Sequence, residues 1–192
     1  MNQGRHRMSS PGIVLVANKA ACLNDLSASL MPLPELESAL QSAIGSELPL
    51  FVVLSASNHL WETRLDELQI PWGVCPDAKQ GIDHCAAFGI HNNQDWSGWL
   101  IDMARSPGPC SDTYKALAGS ITQFPVASAQ NNAGHRDYPI AFQSRFGFNL
   151  MNPDNRLVSA ALVDNHNDTL DGKCKPPLSW LNMSLVHTVD HL

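Results

Sequence analysis

The strongest constraint on this chain is a set of continuous apolar runs, each the length of one strand. Residues 12–17 read GIVLVA, residues 50–55 LFVVLS and residues 98–103 GWLIDM. A strand with one face in water alternates apolar and polar side chains. A run that is apolar throughout and rich in Val and Ile is buried on both faces. Helical patterns separate these runs. Leu33, Leu36, Leu40 and Ile44 recur at helical spacing, with Pro34 and Glu35 suited to a first turn and Gly45 to a stop. Asn58 is placed to cap a helix over residues 60–68, and Ser111 or Asp112 to cap one running to residue 121. Residues 80–91 mix small and apolar side chains, as a tightly packed helix does.

Shorter segments complete the pattern. Residues 72–75, 125–128, 138–142 and 180–186 are strand-like, residues 143–151 read as a short helix, 156–163 as helical or extended, and 188–192 as a final helical turn. The alternation predicts an α/β fold: a mostly parallel, Rossmann-like sheet between two helical layers. A polar, basic tail is expected over residues 1–11 and one domain over 12–192. Ligands of such sheets bind beyond the carboxyl ends of the strands. The chemistry is therefore expected just after Ala17, Val74 and Ile101.

Charge narrows the function. The chain holds 18 Asp+Glu against 12 Lys+Arg, a net charge of −6, with no clustered basic patch of the kind that binds nucleic acid. No apolar run approaches the roughly 18 residues of a membrane span, and the polar start lacks the apolar core of a secretion signal. Five widely spaced cysteines, Cys22, Cys75, Cys85, Cys110 and Cys174, form no CxxC. An odd count without a secretion signal points to reduced thiols and a cytoplasmic location. Residues 20–63 contain no Lys or Arg at all.

Several residues are candidates for chemistry. Asp102 ends the third apolar run, where a carboxylate projects into the ligand crevice and can hold a metal; a solvated strand-end Asp or a helix cap is the plainer alternative. The loop over residues 18–29 follows the first strand but contains no glycine, and Lys19 is its only cation. Such a loop cannot easily wrap its amides around a phosphate. His135 and Arg136 sit in a polar stretch that suits either a ligand phosphate or an exposed turn. His84 and Cys85 are adjacent, which is not a chelating spacing. His187 and His191 are four apart, a spacing that suits zinc on a helix face, or two solvated histidines near a chain end. The five tryptophans read as core.

Five segments in order resemble the MobA-like NTP transferases, the molybdenum-cofactor cytidylyl- and guanylyltransferases. Leu15-Val16-Ala17-Asn18 is similar to the family's LAAG. The stretch from Pro76 to Ile90, with Gly81 and Gly89 in register, is similar to its base-pocket helix. Trp99-Leu100-Ile101-Asp102-Met103-Ala104 is similar to its LxDMP metal strand. Gly134-His135-Arg136-Asp137-Tyr138-Pro139 is similar to its GxxGHP segment, and Val186-His187-Thr188-Val189-Asp190 to its last motif. The resemblance implies a nucleotide-diphospho-sugar-transferase-like, three-layer α/β/α fold. It implies CTP or GTP as substrate, a phosphorylated acceptor such as molybdopterin, and magnesium on Asp102 with His187 at the second metal position. Ala17, Asn18, Gly81, His84, Cys85, His135 and Arg136 would line the nucleotide, and Lys19 would supply catalytic charge, with Lys79 and Arg105 as further cations.

The chain departs from the family where the chemistry lies. Asn18 replaces the LAAG glycine, Cys22, Leu23 and Asn24 stand where the family has its arginine, and Ser27, Ala28 or Ser29 where it has its lysine. Nucleotidyl transfer depends on cations and positioned charge. The alternative expectation is thus a catalytically impaired relative, serving as a binding or accessory protein for a molybdoenzyme or its maturation.

Overall fold

The computed structural model describes residues 10–17, 33–105, 108–130, 136–162 and 186–190, with side chains described except at 33–35 and 186–190. Its strands are β1 (Gly12–Ala17), β2 (Leu50–Leu54), β3 (Trp72–Val74), β4 (Gly98–Met103), β5 (Val126–Gln130), β6 (Arg136–Gln143) and β7 (Val186–Asp190). Its helices are α1 (Leu33–Gly45), α2 (His59–Glu67), α3 (Ile82–His91), α4 (Ser111–Ser120), α5 (Gly147–Leu150) and α6 (Leu157–Leu162). The strands form one seven-stranded sheet in the order β3-β2-β1-β4-β6-β5-β7. Only β6 runs against the others, pairing antiparallel with both β4 and β5. The expected α/β architecture with a mostly parallel sheet is the one observed.

The apolar runs lie where their composition puts them. Every side chain of β1 and β4 is buried, and β1 is flanked by parallel partners on both sides, β2 and β4. Alternate residues serve opposite layers. Ile13, Leu15 and Ala17 join Leu36, Leu40, Trp61, Tyr114 and Leu117 in a core beneath α1, α2 and α4. Val14, Val16 and Ile101 join Ile82, Cys85, Ile90 and Val158 beneath α3 and α6. Gly89 permits the closest approach of α3 to the sheet, since a Cβ there would lie 2.3 Å from Val14 Cγ1.

Helix ends follow local chemistry. The Asn58 side chain accepts from the Leu60 and Trp61 amides, and Glu62 accepts from the Asn58 amide, a reciprocal cap on α2. Asp83, in the first turn of α3, accepts from the Val158 and Ser159 amides and so ties α3 to the start of α6. Two expectations change. Cys110 occupies the cap position of α4 without a side-chain cap bond, so neither Ser111 nor Asp112 is the cap; both are inside the helix. Thr188 belongs to a strand rather than to a final helical turn, because Val186–Asp190 pairs in parallel with β5. Residues 180–185 lie outside the described residues.

Candidate functional site

The parallel strands end together at one edge of the sheet, and β6 begins there, with Arg136 opposite Gln130. Asp102 is the penultimate residue of β4, level with Leu15 of β1. Its side chain follows Leu100 into the layer beneath α4. There the carboxylate is fully buried. Oδ1 accepts the amide of Met103 at 2.8 Å, and Oδ2 accepts the hydroxyl of Tyr114 at 2.5 Å. Burial pushes the carboxyl up to about 6; the Tyr114 hydrogen bond, the nearby Arg105 charge and the Met103 amide hold it back from rising further. Burial and the adjacent carboxylate raise the Tyr114 phenol well above its ordinary value.

Sequence reasoning missed Tyr114. It lies on the apolar face of α4 with Leu117 and Ala118. A signal was present, since a tyrosine on a buried face needs a partner for its hydroxyl. What the sequence lacks is the pairing of that face with β4.

Arg105 follows the same strand. Its Nη1 lies 2.9 and 2.8 Å from the two carboxylate oxygens of Asp137, and its Nη2 donates to the Tyr138 carbonyl at 2.7 Å. Its buried Nε has no hydrogen-bond partner among the described residues. Of the cations expected to face a phosphate, this one is held by a carboxylate of the same edge. Asp137, given no role in the sequence reading, belongs to β6.

The remaining candidates are dispersed. Ala17 is the buried last residue of β1. Gly81 joins the 3-10 turn Ala78–Gln80 to α3 with φ 117°, a left-handed conformation that favours glycine. Gly81 and His84 line a cavity of about 420 Å³ with Asp83, Arg156 and Ser159. Cys85 is buried in the core beneath α3. Arg136 is half-buried at the start of β6. Asn18, Lys19 and His135 lie outside the described residues.

His187 lies in β7, with its backbone level with Ala127 of β5. Ala127 is level with Ala141 of β6, and Ala141 with Leu100 of β4. At the usual strand spacing, three strand steps put the His187 backbone about 14 Å from β4. Asp102 and His187 thus stand on strands three steps apart in the sheet. No group of three His, Cys, Asp or Glu suited to a metal occurs among the described residues. Both Asp102 oxygens are buried and hydrogen-bonded within the described residues.

By sequence, no family profile and no curated protein matches the chain. By structure, a nucleotidyl transferase from Methanothermobacter is similar over 95% of this chain and 87% of its own, with TM-score 0.65 and 13% identity. The Mycobacterium tuberculosis protein Rv0371c, solved in complex with manganese, is similar over 95% and 88%, with TM-score 0.62 and 12% identity. A CMP:2-keto-3-deoxy-manno-octonic acid synthetase complexed with CTP is similar over 95% and 90%, with TM-score 0.54 and 12% identity. The fold is that of the nucleotidyltransferases and nucleotide-diphospho-sugar transferases. No helix among the described residues is long and apolar enough to cross a membrane.

Proposed function

We propose that this chain is a nucleotide-binding relative of the molybdenum-cofactor nucleotidyltransferases, impaired in transfer chemistry and serving a cytoplasmic molybdoenzyme or its maturation. The observation that carries this reading is the Asp102–Tyr114 contact, which places the one retained acidic group of the family pattern inside the core. The Arg105–Asp137 ion pair supports it, because it uses positive charge that a triphosphate would otherwise meet. Binding can persist without catalysis, since contacts made equally to ground state and transition state hold a ligand without accelerating its reaction. The nucleotide would lie across the carboxyl edge, with Gly81 and His84 toward the base and Arg136 toward the phosphates.

A second reading is an active transferase that moves CMP or GMP from CTP or GTP to a phosphorylated pterin with magnesium. The position of Asp102 one residue from the carboxyl end of β4 favours it. Thermal-shift titration with CTP and GTP, with and without magnesium or manganese, separates the two. The impaired reading expects a nucleotide shift that needs no metal and no pyrophosphate release on adding molybdopterin. A metal-dependent shift with pyrophosphate release would establish the active transferase instead. No shift with any nucleotide would overturn both.

A further inference from the structure

A pair of thiols lies apart from the Asp102 centre, on the opposite layer of the sheet. Cys75 is the first residue after β3, and Cys85 lies one turn into α3. The Cys85 side chain and the Asp77 backbone act on the Cys75 thiol and hold it below its ordinary value. The Cys75 thiol reaches the His84 carbonyl at 3.8 Å. Both residues are reduced and nearly without exposed surface. Yet Cys75 lines a cavity of about 230 Å³ with Asp77, His84, Phe88, His91 and Met151. That volume is several times the roughly 30 Å³ of one water molecule, so a peroxide-sized oxidant fits. Cys85 belongs to the same buried cluster, and the Cys75 sulfur stands 3.8 Å from the carbonyl of the residue just before it, His84.

We propose that Cys75 and Cys85 form a peroxide-oxidisable dithiol, with Cys75 the attacking and Cys85 the resolving thiol. The Cys75 thiolate attacks one oxygen of hydrogen peroxide; the O–O bond breaks, hydroxide leaves and takes up a proton as water, and a sulfenic acid remains on Cys75. The Cys85 sulfur then attacks the Cys75 sulfur; an S–S bond forms, the S–O bond breaks and a second water leaves. Two thiols lose two electrons and two protons, and one peroxide becomes two waters. The hydrogen bonds from Cys85 and Asp77 favour the thiolate and bring the Cys75 thiol down to about 7. An ordinary buried cysteine, surrounded by apolar groups alone, shifts the other way. The bridge would close the segment that carries Gly81 and His84 and lines both cavities. The proposal does not depend on the nucleotide reading.

The test is graded hydrogen peroxide on the full-length folded protein, followed by alkylation and peptide mapping without reductant. A Cys75–Cys85 disulfide is expected at peroxide levels about ten-fold below those that oxidise the exposed Cys110. It should re-form in a variant carrying Cys22→Ser, Cys110→Ser and Cys174→Ser, and dithiothreitol should reverse it. Cys85→Ala should leave Cys75 as a sulfenic acid that dimedone captures, whereas Cys75→Ala should leave Cys85 reduced. Oxidation of Cys110 while Cys75 and Cys85 stay reduced would overturn the proposal, as would pairing of Cys75 with any other cysteine. Circular dichroism of each alanine variant checks that it folds, and the triple-serine variant, which leaves the core pair intact, carries the decision where either does not.

Discussion

The Tyr114 hydroxyl donates to Asp102 Oδ2 at 2.5 Å, joining the inner face of α4 to the penultimate residue of β4. This one bond gives a buried carboxylate a neutral partner, and Arg105 adds only a more distant charge. Burial therefore dominates, and Asp102 holds its proton more tightly in the folded chain than in the unfolded one.

That difference sets a pH dependence. The ordinary carboxyl value is 3.8 and the folded value about 6. Between roughly pH 4 and 6 the folded chain keeps a proton that the unfolded chain has released, so stability falls as pH rises through that window. A shift of about two units corresponds to ~3 kcal/mol. Urea unfolding of the wild type across this range should show the decline, and Asp102→Asn, which does not titrate, should flatten it. An unchanged slope in Asp102→Asn would place the dependence elsewhere.

Tyr114→Phe removes the donor and leaves Oδ2 buried without a partner. The expected cost at pH 7.5, where Asp102 is ionised, is about 2 kcal/mol. At pH 5 the carboxyl is protonated and the cost should be smaller. The substitution should also move the Asp102 titration upward, because the phenol favours the ionised form. Denaturant midpoints at the two pH values, with 13C chemical shifts of the Asp102 carboxyl, measure both effects. Equal costs at both pH values would mean that Tyr114 acts through packing alone.

Much of this fold is written in local patterns. β1 and β2 are apolar throughout, and β4 is apolar but for Asp102, because each is flanked by strands and covered on both faces. The Asn58 cap is legible because its donors are two and three residues away. Contacts across the sheet are not legible in this way. Tyr114 reaches Asp102 only because α4 crosses β4 at one particular turn, and Arg105 meets Asp137 only because β6 runs antiparallel beside β4. The reversal of β6 is itself obscured by Pro139, since a proline in a strand argues against a central position. Here the register shifts opposite Ser128 and Ala129, so Tyr138 and Pro139 fall in an irregular step of the ladder. The three-layer α/β fold that the resemblance to the MobA-like transferases implied is the one the structure displays.

Gly89 and Gly119 make a matched pair in two helices. A Cβ at Gly89 would lie 2.3 Å from Val14 and 3.2 Å from Val53, both fixed in central strands, whereas a Cβ at Gly119 meets nothing within 4 Å. Gly89→Ala should destabilise by about 1–3 kcal/mol through overpacking. Gly119→Ala should stabilise by up to ~1 kcal/mol through helix propensity. Thermal unfolding of the two variants should move in opposite directions. A stabilised Gly89→Ala would mean that α3 can draw away from β1 without loss.

The Arg105–Asp137 pair offers a direct test of how much positive charge this edge can give to a nucleotide. Its side chains are 33% and 24% exposed, so an incoming anion can reach them. Asp137→Asn removes the competing carboxylate while leaving Arg105 its bond to the Tyr138 carbonyl. The freed guanidinium is a fork suited to phosphate oxygens. Affinity for CTP or GTP should rise by about three- to ten-fold at low salt, and the gain should shrink as ionic strength increases. Titration calorimetry at 20 and ~300 mM salt would measure both. Arg105→Gln should weaken the Asp137→Asn variant and leave the wild-type affinity nearly unchanged, because in the wild type that charge is already taken. If Arg105→Gln instead weakens the wild type as strongly, the guanidinium serves the nucleotide despite Asp137, and the edge is better supplied with positive charge than the ion pair implies.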